Sequence, residues 1–243
     1  ATKLLKEKHE PISLSVHKLE VSNNDSKQFA HVASHDMREP LRMIYSYVGL
    51  IERSLGTNIT AQQKEFISYA LDGSKRMDAL IQDLLHLAKV DANPKREPLK
   101  MNMIVEELKW NLDALTREKN AQIIAVDLPV LIADRTQMLQ LFQNLISNAI
   151  KFNKPGNIPQ ISISAQKVNG IWQFAFKDNG IGIEPVNFEK IFIIFQRLHN
   201  KSEYEGTGIG LAHCKKIVEL HNGKIWINSA INTGSTFFFT INT

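Results

Sequence analysis

Apolar residues spaced alternately by four and three constrain this chain more than any other feature, because only a helix packed along one seam repeats in that way. Met37, Leu41, Ile44, Val48, Ile51 and Leu55 carry the pattern once, and Ile67, Ala70, Ser74, Met77, Ile81, Leu84 and Ala88 carry it again. Leu80, Leu85 and Leu87 widen the second stripe. Between the two, G-T-N-I-T at 56–60 reads as a turn, with Thr60 as the N-cap of the second helix. The spacing predicts a helical hairpin, with helices over 26–55 and 61–90. Two helices cannot bury such stripes between them. A two-fold pairing of hairpins into a four-helix bundle would, and a hairpin packed on its own second domain is the alternative.

Inside the first of these helices stands H-V-A-S-H-D-M-R-E-P-L-R, residues 31–42. At roughly 100° per residue, His35 lies about half a turn from most of the seam and should face water. Pro40 lacks an N–H, so the carbonyl of Asp36 loses its usual partner and the helix is expected to bend one turn beyond the histidine. Asp36 is close enough to hold one ring nitrogen of His35 and leave the other lone pair outward. This is a nucleophile with an adjacent base. His31, one turn earlier on the same face, is a decoy among eight histidines.

Residues 1–28 are polar and broken by Pro11 and by S-N-N-D-S at 22–26, with Ile12, Val16 and Leu19 able to continue an input helix within a linker expected over 1–25. No sensor domain is visible in the chain, so an upstream sensor is expected outside it. After the hairpin, D-A-N-P-K-R-E-P at 91–98 loses the apolar period, and its two prolines mark a linker. The boundaries expected are 26–92 for the hairpin, 93–98 for the linker and 99–243 for a second domain. Within that domain helices are expected at 102–119, 134–153 and 207–222. Strands are expected at 121–126, 130–133, 159–167, 171–177, 224–228 and 235–242. Together with the hairpin this is an α+β chain of two domains, the second an α/β sandwich with antiparallel strands.

A formal net charge of +4, with acids interleaved throughout, argues against nucleic acid as the main partner. One cysteine, Cys214, excludes an internal disulfide and suits a reducing compartment. No run of about 18 apolar residues occurs and no signal peptide pattern opens the chain, so a cytoplasmic location is expected.

Three stretches of the second domain carry chemistry. In Q-N-L-I-S-N-A-I-K-F, residues 143–152, Asn144, Asn148 and Lys151 share one helix face. Amide oxygens can ligate Mg²⁺, and the lysine adds charge where polyphosphate would lie. In K-D-N-G-I-G-I, residues 177–183, Gly180 and Gly182 permit a tight turn, and Asp178 can accept from an exocyclic amine such as that of adenine. E-G-T-G-I-G-L-A, residues 205–212, presents Gly206, Gly208 and Gly210 at a helix N-terminus, which favours phosphate. It fits neither a Walker loop nor a dinucleotide fingerprint.

S-H-D-M-R-E-P-L resembles the H-box of sensor histidine kinases of two-component signalling. The three later stretches, with I-F-I-I-F-Q-R-L at 191–198, resemble in order the N, first glycine, phenylalanine and second glycine boxes of that family's Bergerat ATP domain. The resemblance covers residues 26–243. It implies that His35 is the phospho-acceptor, assisted by Asp36, and that Asn148 ligates magnesium. It further implies that Asn144 and Lys151 meet nucleotide or phosphate, that Asp178 reads adenine in the turn of Gly180 and Gly182, and that Thr236, in T-G-S-T-F, supports this aspartate. Residues 196–206 would be a mobile lid in which Arg197 touches the γ-phosphate, and Gly206, Gly208 and Gly210 would line the phosphates. The cofactors implied are ATP and Mg²⁺; the partners are a second copy of the chain and the receiver domain of a response regulator.

Two positions depart from the family. Phe152 stands where many members have tyrosine, so a hydroxyl is missing. Glu39, four residues after His35, stands where many members carry the threonine or asparagine that positions water for phosphatase chemistry. Phosphatase activity by that route is not implied. The rival readings are an ATPase of the mismatch-repair and gyrase type, against which the His35–Asp36 bundle argues, and a nucleotide-sensing scaffold without transfer chemistry.

Overall fold

The computed structural model describes residues 34, 36–89, 94–198, 204 and 206–242. His31, His35, the expected input helix and the expected start of the first bundle helix lie outside them. By contacts the chain divides into two units, with the division after Lys89.

The first unit is the expected hairpin. Helix α1 covers 36–55 and α2 covers Ala61–Lys89, with a short 3₁₀ turn over Gly56–Asn58 between them. Thr60 caps α2: its hydroxyl accepts from the Gln63 N–H (3.2 Å), and the Gln63 side chain accepts from the Thr60 N–H (2.9 Å). This reciprocal box satisfies two donors that the helix would otherwise leave unpaired. Leu41, Ser74, Ile81 and Leu85 are buried where the helices meet, and the Lys75 ammonium lies over the Tyr45 ring at 5.7 Å. Much of the rest of the seam is bare, while Val48, Leu55, Ile67 and Ala88 are half-buried. Met37, Ile44, Ile51, Met77 and Leu84 are 40–58% exposed, against 7% for Leu41. Pro40 is accommodated within α1.

The second unit layers helices on one face of a mixed sheet. Its elements are β1 (Arg96–Lys100), α3 (Met101–Asn111), α4 (Asp113–Lys119), β2 (Gln122–Ala125), β3 (Val130–Asp134), α5 (Arg135–Lys151), β4 (Gln160–Val168), β5 (Ile171–Asp178), α6 (Gly210–Leu220), β6 (Ile225–Ala230) and β7 (Gly234–Ile241). Five strands run in the order β2-β4-β5-β7-β6, and β1 pairs with β3 in a separate ribbon. Alternation along β5 and β7 sends Phe174, Phe176, Phe237, Phe239 and Ile241 inward, where Phe142 of α5 meets Phe174, Phe176 and Phe239 edge-on at 4.8–6.0 Å between ring centroids. Met138, Leu141, Leu145 and Ile146 complete the buried face of α5, so its other face is left to carry polar groups.

Four expectations are corrected. Residues 96–98, expected as linker, are strand: Pro98 opposes Ile132 in a two-stranded ribbon, where a strand without one N–H loses little. The helix expected at 102–119 is two, because Leu112 adopts φ −100°, ψ 10° between α3 and α4. The sheet is not wholly antiparallel, since β2 runs parallel to β4. Finally, α6 begins at Gly210 rather than 207, because φ at Gly206 (148°) and Gly208 (77°) is incompatible with helix.

Candidate functional site

Strand β5 ends at Asp178, and the turn after it is built on glycines that admit no side chain. A Cβ on Gly180 would lie 2.3 Å from the Phe152 carbonyl oxygen, and one on Gly182 (φ 74°) would lie 2.0 Å from that of Ala230. The turn is thereby pressed against the end of α5, with the Ile181 N–H donating to the Phe152 carbonyl (3.1 Å). Asp178 Oδ1 accepts from two backbone N–H groups, those of Gly180 (2.8 Å) and Ser235 (3.0 Å). Burial pushes its carboxyl above the ordinary value, against the opposing pull of these two bonds. Oδ2 takes part in neither of these two bonds.

The exposed end of α5 supplies the polar face. Asn144, Asn148 and Lys151 are each half-buried along it, as the spacing predicts. Helix α6 starts against this face: a Cβ on Gly210 would sit 3.4 Å from Asn144 Oδ1, and one on Gly206 only 2.5 Å from Lys151 Nζ. Gly208, also at positive φ, accepts from the Phe195 N–H (3.1 Å) and lies beside the Arg197 side chain. Arg197 donates from Nη2 to the Tyr204 carbonyl (2.8 Å). Three segments far apart in sequence therefore converge at one end of α5. The N-terminus of α6, which has no side-chain cap, contributes N–H groups and a positive dipole end, Lys151 and Arg197 contribute full charges, and Asp178 contributes an acceptor. Amide oxygens, cations and bare backbone N–H groups form a donor set that fits a magnesium-bound nucleoside polyphosphate.

Thr236 is not part of this convergence. It pairs with Lys177, one position before Asp178, so strand alternation turns its side chain to the other face of the sheet. Ser235 takes the place expected of it, bonding Asp178 through its N–H and reaching Ser229 Oγ (2.9 Å) through its hydroxyl. Gly234 (φ 113°) was also missed: a Cβ there would lie 2.1 Å from the Asp178 carbonyl oxygen. The glycine in T-G-S-T-F was its one signal. Asn179 closes the turn from behind, accepting from the Gln160 N–H (2.9 Å) and donating to the Ile158 carbonyl (2.9 Å). In the first unit Asp36 is exposed on α1, and Glu39 lines the cleft between α1 and α2 with Arg38, Arg42 and Lys75.

The second unit thus has the layers of a Bergerat-type ATP domain. Residues 133–243 match the family of histidine kinase-, DNA gyrase B-, and HSP90-like ATPases, and residues 25–93 match the His Kinase A (phospho-acceptor) domain. The chain is 46% identical over 226 residues to cyanobacterial phytochrome A of a Nostoc species, covering 93% of this chain and 29% of that protein. It is 30% identical over 228 residues to the sensor protein kinase WalK of Staphylococcus haemolyticus, covering 89% of this chain and 36% of that one. Among solved structures, the catalytic domain of the histidine kinase ThkA is similar over 60% of this chain and 94% of its own, with 28% identity and a TM-score of 0.51. Full-length ShkA in complex with AMPPNP is similar in fold over 89% of this chain and 46% of its own, with 22% identity and a TM-score of 0.66. The chain belongs to the sensor histidine kinases, and it spans about a third of the length of the curated relatives it matches. No helix among the described residues is long and apolar enough to cross a membrane.

Proposed function

We propose that the chain is the catalytic region of an ATP:protein-histidine phosphotransferase, which phosphorylates His35 from magnesium-ATP and passes the group to an aspartate of a response regulator. The observation that carries this reading is the convergence of Asp178, Lys151, Arg197 and the α6 N-terminus at one end of α5, in a chain that also contains a phospho-acceptor domain. Relatives support its two partners: one neighbour in fold is in complex with AMPPNP, and another, ThkA, is in complex with a response regulator. A second copy of the chain is the third partner, supported by the bare seam of the hairpin.

Bound magnesium-ATP supplies the γ-phosphoryl group and the divalent charge that offsets its negative oxygens. Asp178 Oδ2 accepts from the adenine amine, in a turn too tight for any side chain at positions 180 and 182. Asn148 would ligate the magnesium ion, while Asn144, Lys151 and the glycine-bordered N–H groups of α6 would hold the phosphates. Arg197 neutralises the γ-phosphate. His35 attacks phosphorus with its ring lone pair; the new N–P bond forms as the bond to the ADP oxygen breaks, and Asp36 takes up the ring proton. Positioning and charge neutralisation account for the catalysis, as in phosphoryl transfer generally. The cytoplasm is the proposed site of action.

The test is incubation with γ-labelled ATP and Mg²⁺, comparing the wild type with His35→Gln and His31→Gln. Acid-labile, alkali-stable label in the wild type and His31→Gln, absent from His35→Gln, is expected. Labelling that persists in His35→Gln would overturn the assignment of the acceptor, and ATP hydrolysis without any label would overturn the kinase reading.

A further inference from the structure

Tyr204 was singled out by no motif, yet it joins three parts of the site. Its ring packs on that of Phe152, centroid to centroid 5.2 Å and tilted by 43°. Its hydroxyl donates to the Asn153 carbonyl (3.0 Å), just past the end of α5. Its own carbonyl accepts from Arg197 Nη2 (2.8 Å). Phe152 in turn carries the Lys151 ammonium over its ring at 4.4 Å, and its carbonyl holds the Ile181 N–H of the turn after Asp178. One residue therefore ties Arg197, Lys151 and the Asp178 turn to a common anchor.

We propose that Tyr204 is a positioning residue for the nucleotide phosphates, holding the Arg197 guanidinium and, through Phe152, the Lys151 ammonium in one fixed arrangement. The argument is mechanical. Arg197 is exposed and has a long side chain with many rotamers, so it gains a defined place only from what it bonds. What it bonds is a backbone carbonyl, and that carbonyl is fixed by the ring and hydroxyl of the same residue on the rigid end of α5. Removing the side chain leaves the carbonyl in the chain but takes away the ring contact and the hydroxyl bond that anchor it. The ammonium–ring contact of Lys151 depends likewise on Phe152, one face of which Tyr204 covers. A cation that must be ordered when ligand arrives costs affinity, and one ordered beforehand does not.

This inference rests on the proposed nucleotide site, and its test is chosen to separate the two. ATP and ADP affinities of the full chain are measured in Mg²⁺ by displacement of a fluorescent trinitrophenyl-ATP, for the wild type, Tyr204→Phe and Tyr204→Ala. Tyr204→Ala is expected to weaken ATP about tenfold, the cost of one charge-assisted contact, while changing ADP less than about twofold. Tyr204→Phe keeps the ring and loses only the hydroxyl, so about a threefold loss for ATP is expected, with unfolding temperature unchanged. Equal weakening of ATP and ADP would mean a merely structural role and overturn the inference, as would unchanged affinities in both variants. Should Tyr204→Ala fail to fold, Tyr204→Phe decides by the same criterion. A wild type that binds neither nucleotide would overturn the proposed function and this inference with it.

Discussion

Asp178 presents one carboxylate oxygen, Oδ1, to the backbone, and the proposed function uses the other. Because both backbone N–H groups converge on Oδ1, an asparagine in its place can keep both bonds with its amide oxygen, and the turn should survive. What asparagine presents in place of Oδ2 is an N–H₂ group, which cannot accept from an amine. Asp178→Asn is therefore expected to lower ATP affinity by about ten- to a hundredfold, measured by nucleotide displacement, the cost of one hydrogen bond to a charged group. Its effect on folding has the opposite sign. Burial raises the carboxyl above its ordinary 3.8, so the ionised form carries a penalty at neutral pH that the amide does not. The variant should melt no lower than the wild type at pH 7, and any gain should vanish below about pH 4, where the wild-type group is neutral in both folded and unfolded chains. A clear destabilisation at pH 7 would show that the charge itself holds the turn. At this scale the sequence was informative about what must be small or charged: Gly180, Gly182 and Asp178 stand out in K-D-N-G-I-G-I. It was uninformative about which face a strand residue takes. Ser235 and Thr236 differ by one register position, and nothing in T-G-S-T-F fixes the pairing with Lys177 that sends them to opposite sides.

Elements are held to one another by groups that periodicity does not reveal. His221 ends α6 with its ring fully buried: Nδ1 donates to the Ile217 carbonyl (2.9 Å) and Nε2 accepts from the Asp134 N–H (3.4 Å), joining α6 to the end of β3. Arg96 of β1 reaches the same helix end, donating to the Leu220 carbonyl (3.1 Å). Burial, with the nearby Arg96 charge, lowers the imidazole below its ordinary 6.5, against the pull of the Ile217 carbonyl and the Asp134 carboxylate. A lowered value in the fold means that the unfolded chain binds the proton more readily. The contribution of His221 is therefore full above pH 6.5 and is lost progressively as pH falls below it. Chemical unfolding of the second unit at pH 7.5 and 5.5 should show this loss, and His221→Gln should flatten it while costing about 1 kcal/mol at the higher pH. A pH dependence unchanged in the variant would assign it elsewhere. The ribbon that His221 steadies is also the element the sequence hid. R-E-P-L-K has a proline at its centre and one buried side chain, Leu99, so it carries neither the alternation of a strand nor the period of a helix. By contrast α2 and α5 were legible to within a few residues, because Thr60 and Asp134 cap them and their buried faces repeat every three to four positions.

The whole chain consists of two units, and their stabilities should respond to different ligands. The hairpin leaves Ile44, Ile51 and Met77 about half exposed, and a second hairpin would supply a covering surface of matching pattern. The second unit closes its own core around Phe142, Phe174 and Phe239. Its stability should depend on nucleotide and not on chain concentration. Differential scanning calorimetry should therefore resolve two transitions. One should rise with protein concentration, gaining about 1.4 kcal/mol per mole of dimer for each tenfold increase, and Ile51→Glu should abolish that dependence. The other should rise with ATP by roughly 5 to 10 °C at a hundred times the dissociation constant, which corresponds to about 2.7 kcal/mol on a unit of this size. Cys214 identifies which is which. Its thiol is fully buried in the second unit and pushed up to about 12, so alkylation at pH 8 requires that unit to open. Labelling of Cys214 should follow the ATP-sensitive transition and ignore protein concentration. A single transition shifted by both variables would mean that the units fold as one, and that nucleotide bound at the proposed site is felt in the stability of the hairpin.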